Sequence, residues 1–132
     1  MKNINTYIIP NSIEFAEGAD KAGINSIFID LERIGKNTRQ GQLDTHKSTH
    51  IPSDIISYRK FVRNSELLVR VNPLWEKSLD EVNFAINNGA DALMLPMARE
   101  THEIIHFKKI VNKRVPIVFL LETKSIIDNI AT

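Results

Sequence analysis

The chain of 132 residues contains no cysteine, so disulfides, thiolate metal centres and cysteine nucleophiles are all excluded. Glycine and proline number only 5 each, which rules out collagen-like and low-complexity chains. Neither charge sign is in excess: 17 Lys and Arg face 16 Asp and Glu. That balance removes the usual footprint of a nucleic-acid or membrane-surface binder. The opening Met1-Lys2-Asn3-Ile4-Asn5 has no apolar signal core, and no apolar run is long enough to span a bilayer. The expectation is a soluble cytoplasmic protein of one domain over residues 1–132, with no nucleic-acid or membrane partner.

What is present is alternation. Tyr7-Ile8-Ile9 is a short apolar run, and Ser12 is placed to cap a helix reaching about Ala22, stopped by Gly23. Ser26 to Ile29 reads as a strand, Pro52 to Val62 as a helix, and Glu66 to Val71 as a strand. A helix from Ser78 to Asn88, with Leu79, Val82, Phe84 and Ala85 as its apolar residues, precedes a strand at Ala92–Leu95. Thr101–Val111 reads as a helix, Val115–Leu121 as a strand, and Lys124 onward as another helix. Continuous apolar strands between helices predict an α/β fold with a parallel sheet and right-handed crossovers. Two architectures fit: a five-stranded doubly wound sheet, or the first five units of a (β/α)₈ TIM barrel, which needs about 250 residues.

Both place ligands at the carboxyl ends of the strands. Those ends carry Asn11, then Asp30 and Glu32, then Arg70 and Asn72, then Met97 and Arg99, and finally Glu122. Hard oxygen donors without cysteine or histidine favour Mg²⁺ or Mn²⁺ over zinc. An arginine inside an apolar strand suits bidentate capture of a carboxylate. The simpler reading is that Asp30 and Glu32 cap helices or pair with Arg33 and Arg70. The polar stretch Gly35–His50, with Lys36, Arg39, His46, Lys47 and His50 against Asp44, reads either as a solvated loop or as a receiver of anionic groups.

Four segments together resemble the HpcH/HpaI aldolase and citrate lyase β-subunit superfamily, with the citrate lyase β-like branch closer. They are Phe28-Ile29-Asp30-Leu31-Glu32, Leu68-Val69-Arg70-Val71-Asn72, Gly89-Ala90-Asp91-Ala92-Leu93-Met94-Leu95-Pro96, and Leu121-Glu122-Thr123. The resemblance implies a (β/α)₈ barrel, of which this chain holds about the first five units, and a Mg²⁺-dependent carbon–carbon lyase. Its substrate would be a keto acid, hydroxy acid or acyl-CoA. Glu122 matches the metal-binding glutamate and Arg70 the group that holds the substrate. Asp30, Glu32 and Asn72 border the site, with Glu32 among the catalytic candidates. Arg33 stands where the aldolase branch has a histidine, Met97 where citrate lyase β-like chains often have lysine, and Leu120 where the aldolase branch has glutamine. The family's second metal carboxylate would come after Thr132, so the expectation is a partial barrel whose open strands favour homo-oligomers.

Other classes remain in view. One is a non-catalytic barrel piece serving as a binding or assembly module. His102-Glu103-Ile104-Ile105-His106 fits the zinc-protease pattern H-E-x-x-H. Ile104, Phe107 and Val111 form that helix's apolar stripe, however, leaving both histidines facing solvent. A signalling receiver would want an acid at the end of the first strand, where the chain has Asn11.

Overall fold

The computed structural model describes residues 4–35 and 48–130. It is an α/β arrangement in which five parallel strands form one sheet in the order β1-β2-β3-β4-β5. The strands are β1 (Tyr7–Ile8), β2 (Ser26–Asp30), β3 (Glu66–Arg70), β4 (Ala92–Leu95) and β5 (Ile117–Phe119). The helices are α1 (Ile13–Lys21), α2 (Asp54–Phe61), α3 (Ser78–Asn87), α4 (Thr101–Val111) and α5 (Lys124–Ile130). No described helix is long and apolar enough to cross a membrane.

Local chemistry sets the boundaries. Ser12 caps α1 by accepting the Phe15 N–H at 3.1 Å, and Gly23, at φ 85°, turns the chain out of the helix into β2. Glu103 accepts the backbone N–H groups of Arg99 and Glu100, satisfying donors at the start of α4. Pro52 precedes α2 by two residues rather than opening it, and β5 is shorter than the apolar run Val115–Leu121. The apolar residues of α3 divide between core and solvent. Val82, Ala85 and Ser78 are buried, whereas Leu79 and Phe84 are exposed.

Side-chain alternation along the strands separates two faces. Ile27, Ile29, Leu67, Val69, Leu93 and Leu95 pack with Ala16, Ile55, Val82, Phe107, Val111 and Ile126 of the helices. The opposite face carries a smaller cluster of Leu68, Ala92 and Met94, flanked by Phe28, Val118 and Leu120. No described helical residue joins that second cluster. By the same two-residue period, Asp30 and Arg70 continue the second face at the carboxyl end of the sheet.

The turn before β3 is tied to α1. Buried Asp20 accepts N–H bonds from Arg63, Asn64 and Ser65, the shortest at 2.6 Å, and the Asn64 side-chain amide at 2.9 Å. Burial pushes this carboxyl up, but those donors outweigh it and hold its pKa at about 2.

Candidate active site

Asp30 and Arg70 are register partners at the ends of β2 and β3. Arg70 Nε and Nη2 donate to the two Asp30 carboxylate oxygens at 2.9 and 2.8 Å, a fork-to-fork pair. Glu32 adds a carboxylate oxygen 3.5 Å from Arg70 Nε. Both acids are almost fully buried, at 1% and 3% exposure, while the Arg70 side chain stays 17% exposed. Its guanidinium also lies 5.2 Å from the Phe28 ring centroid, a contact that favours a cation. Burial works against the charged Arg70, but Asp30, then Glu32 and Glu122, more than compensate and raise its pKa. The guanidinium is therefore a permanent cation. Nη1 makes no hydrogen bond among the described residues.

Glu122 follows β5 and is exposed. One of its oxygens accepts the Met97 N–H at 3.0 Å, and Thr123 Oγ1 donates to the Ala98 carbonyl at 2.6 Å. These bonds clip the segment after β4 to the end of β5. Met97 adopts φ 53°, a left-handed conformation that costs a non-glycine residue about 1 kcal/mol. Three carboxylates, Asp30, Glu32 and Glu122, thus bear on one arginine at one end of the sheet. Among the described residues no group of three His, Asp or Glu side chains is arranged to hold a metal ion. A cation here would bind through Glu122 alone, completed by ligand and water oxygens, which is a common mode for Mg²⁺.

The other rim residues have structural partners. Asn72 Oδ1 accepts the backbone N–H groups of Arg33 and Ile34, and its Nδ2 donates to Glu81 at 2.6 Å. It braces the segment after β2 against α3. Arg33 donates to the carbonyls of Glu32, at 2.8 Å, and His50. The guanidinium in the place of the aldolase-branch histidine therefore holds backbone. Asn11 and Arg99 are exposed.

His50 departs from the cationic-loop reading. Only 6% exposed, it inserts between Pro10 and Asp30 and meets the Tyr58 ring edge-on at 5.5 Å. Burial lowers its pKa below 6.5, so it is neutral at pH 7. Lys36, Arg39, Asp44, His46 and Lys47 lie outside the described residues. A cavity of about 560 Å³ adjoins this corner, walled by Leu31, Ile51, Val71 and Phe84 with Arg33 and Asn72 at its polar side.

The H-E-x-x-H pattern has dissolved into helix chemistry. His102 and His106 are exposed, His102 pairs with Glu100 at 3.0 Å, and Glu103 caps its own helix. Comparison with known protein families finds no match, and neither does comparison with curated proteins.

Proposed function

We propose that the sheet is an arc of a (β/α)₈ barrel and that the protein is a Mg²⁺-dependent carbon–carbon lyase acting on a small carboxylate or acyl-CoA substrate. The sequential strand order and the placement of the packed helices on one face support the barrel reading. The observation that carries the functional reading is the convergence of Arg70 with Asp30, Glu32 and Glu122 at the carboxyl end of the sheet. In an aldol or Claisen cleavage the departing fragment leaves as an enolate, whose oxygen needs positive charge already in place. Arg70 Nη1 would hold a substrate carboxylate or carbonyl oxygen, while Asp30 fixes the guanidinium plane. Glu122 would hold Mg²⁺ or Mn²⁺, which when bound neutralises charge on the substrate oxygens. Glu32 lines the same cluster, and Asn72 supports it through the backbone of Arg33 and Ile34.

A panel of 2-oxo and 3-hydroxy acids and their CoA thioesters, followed by NMR with and without Mg²⁺, tests this. Cleavage that requires Mg²⁺ and is lost in Glu122→Gln is expected. No turnover across the panel, with the variant indistinguishable from wild type, contradicts it. That result would favour a second reading, a non-catalytic binding or assembly module that forms homo-oligomers. The observation behind it is that Asp30 already engages Arg70 at two points.

A further inference from the structure

His50 stands where a rung of the β1–β2 ladder belongs. In that ladder Tyr7 pairs with Ser26 and Ile8 with Ile27, and Ser26 N–H donates to Thr6 O at 3.0 Å. Parallel ladders repeat every two residues on each strand. Advancing both strands by four residues brings Asp30 N–H opposite the Pro10 carbonyl. The imidazole is interposed between them: Asp30 N–H donates to Nδ1 at 3.1 Å, and Nε2 lies 2.8 Å from Pro10 O. A carbonyl only accepts, so Nε2 carries the proton and Nδ1 presents its lone pair. Ser48 Oγ also lies 2.8 Å from Nδ1, and its hydroxyl can donate to that lone pair.

The geometry points to His50 as a positioning residue whose proton state sets the Asp30–Arg70 pair. The neutral ring completes the rung and fixes the Asp30 backbone, whose side chain in turn fixes the guanidinium. An imidazolium has no acceptor at Nδ1, so it faces the Asp30 N–H with a second donor and releases it. Among the described residues, the charged groups around the ring come from three directions. Asp54 at the start of α2 and Asp30 on β2 favour the imidazolium, whereas Arg33 after β2 opposes it. Tyr58 from α2, the Pro10 carbonyl after β1 and the Ser48 hydroxyl also touch the ring. Burial is the largest influence and keeps the ring neutral at pH 7. The brace is therefore intact at neutral pH and opens in acid. Its consequence for turnover rests on the lyase reading; the coupling itself does not.

The test is NMR of the ¹⁵N-labelled protein without substrate, from pH 8 to pH 5. At pH 7 the His50 ring nitrogens are expected to report the Nε2–H tautomer. As His50 protonates, exchange of the Asp30 amide and the Arg70 Nε–H, each relative to its intrinsic rate, should accelerate about tenfold, the value of one lost hydrogen bond. His50→Gln supplies an acceptor and a donor but does not ionise, so it should keep both protons protected throughout. His50→Ala should lose protection already at pH 7. Arg70 Nε–H protection that stays flat through the His50 titration overturns the inference, as does protection in His50→Gln that still varies with pH. Should His50→Ala fail to fold, the other two proteins decide. No substrate enters, so failure of the lyase assay and failure here are separate results.

Discussion

Asp30 and Arg70 face each other as register partners of β2 and β3 and are joined by two parallel hydrogen bonds, with only the arginine partly open to solvent. The pair brings opposite charges together at the carboxyl end of the sheet. Truncating the arginine would remove the two-point partner of buried Asp30 and the cation beside buried Glu32. Arg70→Ala should therefore cost about 3–5 kcal/mol in urea unfolding. Asp30→Asn and the double variant close a thermodynamic cycle, in which a coupling above about 1 kcal/mol is expected. A loss below about 1 kcal/mol in Arg70→Ala would show that the pair contributes little. Arg70→Lys is consequently the safer variant for activity measurements, since it keeps the charge but not the fork.

Asp20 gives the fold an acid-sensitive joint. Its pKa of about 2 lies below the ordinary 3.8, so the folded state binds this proton less readily than the unfolded chain. Its contribution is complete above 3.8 and fades as pH falls through about 2. A shift of that size corresponds to about 2 kcal/mol. Asp20→Asn should lower stability at pH 7 by about that amount. It should also flatten the stability curve in that acid range, as measured by chemical denaturation. An unchanged curve would reassign the acid response to other carboxylates.

The exposed histidines of α4 should not form a zinc centre. Glu103 is occupied by the backbone of Arg99 and Glu100, and His102 lies against Glu100. Zinc titration by calorimetry should give no stoichiometric tight binding, with His102→Ala the same as wild type. Tight binding at one equivalent, lost in His102→Ala, would restore the metalloprotease reading.

The sequence reading and the structure agree where local pattern dominates. Apolar runs bounded by Pro, Gly and capping residues located all five strands and put Asp30 and Arg70 at the carboxyl ends of β2 and β3. The solvent-facing histidines of α4 were legible for the same reason. His50 was not, because its partners are Pro10, after β1, and Asp30, at the end of β2, 40 and 20 residues away. Asp20 carries no local signal, since its donors are 43 to 45 residues downstream. Leu79 and Phe84 are exposed although apolar, because an apolar residue type fixes no helix face by itself. The engagement of Asn72 with Arg33, Ile34 and Glu81 likewise depends on which loops meet at the rim.

Under the proposed lyase function, a divalent ion held by Glu122 lies close to the Arg70 guanidinium. Mn²⁺ is paramagnetic and broadens nearby proton resonances, so titrating it into the labelled protein reads that proximity directly. The Arg70 Nε–H signal should broaden at substoichiometric Mn²⁺, recover when excess Mg²⁺ competes, and stay sharp in Glu122→Gln. An Arg70 signal that stays sharp in the wild-type protein at saturating Mn²⁺, or broadens equally in Glu122→Gln, would contradict a shared ion and arginine site.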